Sequence, residues 1–395
     1  MPRPLLLSSP YPETGLLALA NASYTTGRTT RLFIRDPRIP FLAPLSKAPL
    51  VGERLKRVLD RRLALPDLEE ALSYVSSPLE ILRFLSRGVP SAAALSSRLM
   101  YRGQVDFDKR VADRLSSASG PVTAVTMPGA GCHTQRALPD GSFAVVHMVN
   151  SHPRVQNRLL ERHAGLYGKH HERVDEQTIA RIDRELERAD LILAPTAFVR
   201  RGLVAEGCEP GKIAVQPYGA SSSSDITADI TERESDLVLF VGQISYRKGV
   251  HLIGSYARRM PDVRFVLVGP MVTAKVLSSM PSNVSYIGSR SSTEVNRLMH
   301  VATTLLLPSI EDACPLVVYE ALACGCPVVL SDNCGNAEDV VASLAGLSFT
   351  VDDPALAVAS LRRVIDDPIY AKNALDARAS RSWNEFTSAV LARLP

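Results

Sequence analysis

Leu305-Leu-Leu-Pro-Ser-Ile-Glu-Asp-Ala-Cys-Pro-Leu-Val-Val-Tyr-Glu-Ala-Leu-Ala-Cys-Gly-Cys-Pro-Val-Val-Leu330 reads as strand, loop, helix, strand. An apolar run stops at Pro308-Ser309 and two acids follow. A helix-like segment then carries a third acid, and Gly325 to Pro327 lead into a second apolar run. Short apolar runs bounded by turn residues and separated by a helix are the pattern of a parallel sheet with crossover helices. In open sheets of this kind, ligands sit beyond the carboxyl ends of the strands, where helices begin. Asp312 and Glu320 are then placed to meet one ligand at two points. A solvated helix start, with its acids favoured by the helix dipole, explains the segment equally well on its own.

Upstream, Leu237-Val-Leu-Phe-Val-Gly-Gln-Ile-Ser-Tyr-Arg-Lys-Gly-Val-His-Leu-Ile253 reads as a buried strand, a glycine turn, a basic pair and the opening of a helix. Gly242 lets backbone approach a ligand closely. Lys248 places a point charge near a helix start, which suits a phosphate. Strand, glycine and helix follow one another in every doubly wound protein, so Arg247 and Lys248 also read as plain surface charges.

In this order and spacing the two segments resemble the C-terminal domain of family 4 retaining glycosyltransferases. The family pattern is a Gly-Arg turn, a Lys-Gly pair shortly after it, and a Glu-x7-Glu motif following Pro-Ser. Gly242, Lys248, Gly249, Pro308, Ser309, Glu320, Ala321, Gly325 and Pro327 match it. Val263 to Pro270 and Asn283 to Gly288 resemble the intervening elements, and Arg188 to Arg200 and Lys212 to Gly219 resemble the interdomain approach. The resemblance covers residues 143 to 350, while residues 1 to 120 match only in general layout. Two positions depart from the pattern. The first acid of the motif is Asp312, with Glu311 immediately before it, and the arginine that usually follows the turn glycine is Gln243. Both keep hydrogen-bonding capacity, but Gln243 removes a positive charge from the implied diphosphate site.

The resemblance implies an α/β chain of two doubly wound Rossmann-like domains facing a cleft, the GT-B type. Residues 1–218 form the acceptor-side domain, 219–232 the linker and 233–375 the nucleotide-sugar-binding domain; residues 376–395 form a helix packing back on the first domain. Ser221 to Ser224, among scattered acids, fits the linker. The implied reaction moves a hexose from a nucleotide-diphosphate sugar, with retention, to a glycan, a lipid-linked glycan or a small molecule. No metal or other cofactor is implied. Lys248 and the backbone amides of Leu316 and Val317 face the leaving diphosphate, beside Gly242 and Gln243. Glu320 accepts from the ribose hydroxyls, since a carboxylate offers two acceptor oxygens to a diol. Asp312 holds the transferred sugar, with Glu311 able to substitute for it. His152, in Asn150-Ser-His-Pro153, faces the donor sugar, and His147 on the preceding strand is a weaker candidate. Two alternatives stay open: an inactive nucleotide- or glycan-binding protein that kept the fold, and a nucleotide-sugar epimerase or hydrolase.

Composition bounds these readings. A chain of 395 residues accommodates two domains, and 46% hydrophobic with 22% charged residues is globular. A net charge of +4 with interleaved signs points away from nucleic acid as a partner. Six irregularly spaced cysteines make no disulfide framework, and Cys324, Cys326 and Cys334 read as packing residues rather than a zinc site. Asp106-Phe-Asp108 is formally the Asp-x-Asp of metal-dependent sugar transferases, yet it follows no convincing strand. Pro4 to Leu7 is too short an apolar run for a signal peptide, and no stretch approaches the roughly 18 apolar residues of a membrane span, which implies a cytoplasmic protein. Val51 to Leu65 alternates basic and apolar residues at helical spacing. Such a face permits peripheral contact with the inner membrane surface, although an ordinary solvated helix explains it as well. Residues 50 to 118 as a whole read as helix-rich.

Overall fold

A computed structural model describes residues 2–10, 14–35, 71–75, 93–115, 118, 120–167, 172–219, 233–377 and 382–395. Two sheets organise the chain. The first contains β1 (Leu5–Ser9), β2 (Thr30–Arg35), β3 (Leu72–Val75), β4 (Thr123–Thr126), β5 (Phe143–His147), β6 (Leu191–Ala194) and β7 (Ile213–Val215), in the order β3-β2-β1-β4-β5-β6-β7. The second contains β8 (Leu237–Val241), β9 (Arg264–Val268), β10 (Val284–Tyr286), β11 (Thr304–Leu307), β12 (Val328–Ser331) and β13 (Gly346–Phe349), in the order β10-β9-β8-β11-β12-β13. All these pairings are parallel. The helices of the first half are α1 (Thr14–Thr25), α2 (Ala93–Leu115), α3 (Cys132–Arg136), α4 (Pro153–Tyr167), α5 (Glu176–Arg188) and α6 (Ala197–Ala205). Those of the second are α7 (Val250–Arg258), α8 (Ser292–Val301), α9 (Leu316–Ala323), α10 (Ala337–Ala342), α11 (Pro354–Asp366), α12 (Ile369–Ala377) and α13 (Trp383–Leu391).

Parallel strands covered by helices on both faces read as continuous apolar runs rather than alternations. Leu237–Val241 is buried up to its last residue, and Thr304–Leu307 is buried throughout. The order of strand addition reverses once in each sheet, between β1 and β4 and between β8 and β11. A crevice opens at such a reversal, beyond the carboxyl ends of the two strands. The helix-rich reading of residues 50 to 118 needs one correction: Leu72–Val75 is the edge strand of the first sheet, paired to β2 from Leu32↔Leu72 to Arg35↔Val75. Four residues are too few for periodicity to show. The basic segment Val51 to Leu65, the serines Ser221 to Ser224 and the pair His170-His171 lie outside the described residues.

The last helix, α13, packs on the first sheet's side. Trp383 and Phe386 stack with Tyr218, their ring centroids lying 5.5 to 5.9 Å apart, and Val390 joins Leu16, Leu19 and Ala20 of α1 in one apolar cluster. His147 belongs to this cluster: its Nε2 lies 3.1 Å from the Tyr218 hydroxyl and its ring 5.9 Å from that of Phe386. It is a core histidine with a partner.

At the first sheet's reversal, the loop after β4 runs directly into α3. The free N–H groups of such a turn form a nest for an anion. Here the chain supplies the anions. Glu185, fully buried on α5, accepts from the N–H groups of Gly129, Gly131 and Cys132 at 2.6, 2.9 and 2.9 Å. Asp108, also fully buried, accepts from those of His133 and Thr134 at 2.7 and 2.9 Å. Arg181 pairs with Asp108, lies 3.6 Å from Glu185 and donates to the Gly129 carbonyl at 2.8 Å. The Asp-x-Asp pair is thereby divided: Asp108 holds the nest, and Asp106 pairs with Arg110 at 3.1 Å.

Glu185→Gln keeps the shape but replaces one acceptor oxygen by a donor, leaving a buried N–H unmatched. It is expected to cost about 2 kcal/mol, which lowers Tm by roughly 4–8 °C in a domain of this size. Thermal unfolding of the variant checks this, and an unchanged Tm would refute the closed nest.

Candidate functional site

The second sheet's reversal brings together the two stretches that carry the sequence motifs. β8 and β11 are neighbours, with Val238 opposite Thr304 and Leu239 opposite Leu305. The turn after β8 and the loop after β11 therefore face each other across the crevice. Gly249 fixes how closely they approach. Its φ is +69°, and a Cβ at that position would lie 1.7 Å from the Pro308 carbonyl oxygen, so no other residue fits. Ile310 N–H donates to the Arg247 carbonyl at 2.8 Å and ties the two segments further. At Gly242, by contrast, a Cβ would meet only the Phe240 ring, at 3.3 Å, and the backbone conformation does not require glycine. Gln243 is exposed.

This approach pairs two cations with two acids. The Lys248 ammonium is salt-bridged to Asp312, and Arg247 Nη1 donates to Glu311 Oε2 at 3.0 Å. Burial works against the Arg247 charge, but Glu311 and Asp312 more than offset it and raise its pKa. Asp312 itself is held by its backbone: its N–H donates to Asn333 O at 3.1 Å and its carbonyl accepts from Gly335 N–H at 2.8 Å.

The same loop opens α9. Its N-cap residue is Pro315, which has no side-chain acceptor, and Asn336 Nδ2 holds the Pro315 carbonyl at 3.0 Å. The Leu316 and Val317 amides thus start a helix with no side chain capping them, where dipole and N–H groups favour a negative charge. One turn on, Glu320 is half-buried, and no hydrogen bond or ion pair among the described residues engages its carboxylate. Burial alone raises its pKa. An ionised carboxylate kept out of water without a partner is unfavourable.

The first sheet's side contributes residues that the sequence reading missed. Ser151 Oγ donates to Glu311 Oε1 at 2.6 Å, the Glu172 carboxylate accepts from Arg247 N–H at 2.8 Å, and Thr196 Oγ1 donates to Ala313 O at 3.0 Å. Both oxygens of the fully buried Glu311, expected among the donor contacts, are therefore on protein groups. A cavity of about 660 Å³ is lined mainly by the first half, Asn150, Gln156, Glu172 and Thr178 among its residues, and by Arg247 of the second half. His152 lines a separate cavity of about 390 Å³, with Arg154, Asp183 and Lys212. Its buried ring places Nε2 3.1 Å from Asp183 Oδ1, and Nδ1 accepts from Arg154 N–H at 3.2 Å. Burial lowers its pKa, with Asp183 pulling the other way. Ser151, one residue earlier, is the side chain this loop sends to the second half.

Residues 225–381 match the family of glycosyl transferases group 1. Among curated proteins, the glycogen synthase of Mycobacterium tuberculosis is 30% identical over 159 residues, 38% of this chain and 38% of that protein. Sulfoquinovosyl transferase SQD2 of Arabidopsis thaliana is 25% identical over 233 residues, 53% of this chain and 45% of that protein. The chain spans less than half the length of either relative. In architecture it is similar to the crystal structure of WaaG, a glycosyltransferase involved in lipopolysaccharide biosynthesis, with a TM-score of 0.65 at 15% identity over 99% of both chains. The two facing doubly wound sheets are a GT-B fold.

Within this fold Cys324, Cys326 and Cys334 are buried and unbridged, and burial pushes the Cys326 and Cys334 thiols up to about 12. Cys324 and Cys326 flank the Gly325 turn before β12, whereas Cys334 lies beyond the carboxyl end of β12, against Ser331. No cluster of three or more metal-ligating side chains occurs among the described residues.

Glu320 gives a test with a sign. A carboxyl whose folded pKa lies above its unfolded value destabilises the fold once pH exceeds both. That penalty disappears as pH falls below the ordinary glutamate value of 4.5. Glu320→Gln is therefore expected to raise the Tm of the ligand-free protein at pH 7 and to leave it unchanged near pH 4. A lower Tm at pH 7 would show that the carboxylate has a stabilising partner after all.

Proposed function

We propose that this protein is a retaining glycosyltransferase that moves a sugar from a nucleotide-diphosphate sugar bound on the second sheet to a hydroxylated acceptor in the interdomain cavity. The observation that carries the proposal is the Lys248–Asp312 pair at the second sheet's reversal, in the loop that leads into the uncapped start of α9. The relatives named above are transferases of this kind, and the match to their family spans the half of the chain that holds these residues.

Breaking the bond between the anomeric carbon and the diphosphate builds negative charge on the leaving phosphate. Donors already aimed at that charge lower the barrier most. Lys248 supplies the cation. Pro315 cannot donate, so the Leu316 and Val317 amides supply the dipoles. As the diphosphate enters, Lys248 exchanges Asp312 for phosphate oxygens, which frees Asp312 to accept from hydroxyls of the transferred sugar and orient its anomeric carbon. Glu320 accepts from the ribose diol, and its raised pKa makes that task fail at acid pH. Gly242 leaves room for the donor at the turn, and Gln243 stands where no charge is contributed. This division of labour assigns phosphate neutralisation to the chain itself and calls on no divalent cation. His152 has no role in it, because both ring nitrogens serve the first half. Among the described residues no helix is long and apolar enough to cross a membrane.

The test is nucleotide-induced stabilisation followed by product analysis. A nucleoside diphosphate at a hundred times its Kd adds about 2.7 kcal/mol of stability. One of UDP, GDP, ADP or dTDP is expected to raise Tm with or without magnesium, and the matching nucleotide sugar to yield a new glycoside. Binding without turnover would identify an inactive relative, and free or isomerised sugar a hydrolase or epimerase. Lys248→Ala is expected to abolish both the shift and turnover. The Lys248→Ala/Asp312→Asn double variant leaves no buried charge unpaired, so it should fold like the parent and still fail to bind. Normal nucleotide binding by that folded variant would refute the phosphate site.

A further inference from the structure

Arg247 and Glu311 stand one residue before Lys248 and Asp312, and the two pairs run side by side across the same crevice. Among the described residues, the hydrogen bonds from these two pairs to the first half run through Arg247 and Glu311. Ser151 Oγ holds Glu311 Oε1 at 2.6 Å, Glu311 Oε2 holds Arg247 Nη1 at 3.0 Å, and the Glu172 carboxylate takes the Arg247 N–H at 2.8 Å. Arg247 is thus gripped at its side chain and its backbone, and both grips end on residues of the first half. Glu311 is fully buried, so it cannot exchange either partner for water.

We propose that Ser151 and Glu311 are positioning residues of the donor site: acting through Arg247, they set the turn that carries Lys248, so that the phosphate-binding cation depends on apposition of the two halves. The inference rests on the transferase reading above and reassigns Glu311 from a donor contact to a support. The physical reason is competition. With the Ser151 hydroxyl in place, both Glu311 oxygens are satisfied and the carboxylate stays on Arg247. Without it, one buried oxygen lacks a donor, and Lys248, next to Arg247 in the chain, is a second cation on the same turn. A carboxylate drawn to Lys248 competes directly with the diphosphate. The consequence is that a first-half hydroxyl, with no contact to the donor, controls donor affinity.

The experiment uses the full chain. Calorimetry measures the Kd of whichever nucleoside diphosphate gives the largest thermal shift, and steady-state kinetics measures donor KM and kcat, for the parent, Ser151→Ala and Ser151→Thr. Ser151→Ala is expected to weaken nucleotide binding and raise donor KM about tenfold, the usual range for coupled sites. Ser151→Thr, which keeps the hydroxyl, is expected to restore both. In a Glu311→Gln background Ser151→Ala is expected to add nothing, because the serine acts through the glutamate. A lower Tm for Ser151→Ala with unchanged nucleotide Kd overturns the proposal, as does failure of the threonine variant to rescue or an additive effect in the double variant. If Glu311→Gln does not fold, the alanine and threonine pair decides. No nucleotide binding by the parent protein would defeat the transferase reading, and this inference with it.

Discussion

At Gly249 the chain passes so close to the Pro308 carbonyl that a single added carbon would collide with it. That contact, together with the Ile310–Arg247 backbone hydrogen bond, fixes the distance between the two loops at the second sheet's mouth. The other features of the site depend on it. It brings Lys248 to Asp312 and Arg247 to Glu311. Positive φ and zero side-chain volume are both needed, which is why the position tolerates only glycine.

The two sheets share one topology but differ at their reversals. In the first, the amides after β4 are filled by the Glu185 and Asp108 carboxylates, with Arg181 holding both. In the second, the amides that open α9 have no side-chain cap. The same physics of free N–H groups and aligned dipoles operates at both ends. One nest holds the fold together, and the other stays available. The asymmetry arises with the same order of strands around both reversals.

Sites of this kind carry a thermodynamic penalty in the free protein. Glu320 is held partly out of water with no protein partner, and burial raises its pKa. Lys248 and Asp312 neutralise each other. Proteins tolerate such local deficits where a ligand repairs them, and the surrounding core, continuous from β8 through β13, supplies the margin.

Much of this was legible in the chain itself. The apolar runs of β8, β11 and β12, the Pro308-Ser309 stop and the glycine turns follow from local periodicity and backbone sterics, so the doubly wound class and the motif residues Lys248, Asp312 and Glu320 stand out without coordinates. Periodicity is silent on Leu72–Val75, which is too short to show a pattern, and it gives Ser151 no mark at all. Local sequence likewise suggests His152 as a ligand, because a histidine after a strand looks free until its partners are known; folding gives both its nitrogens to Asp183 and Arg154. Sequence determines which residues can form strands, turns and charges, since those depend on each residue and its near neighbours. Tertiary structure decides which charges meet: Arg247 with Glu311 and Ser151, Glu185 with the α3 amides. Those pairings join residues distant along the chain, and only the packing of the two sheets brings them within hydrogen-bonding distance.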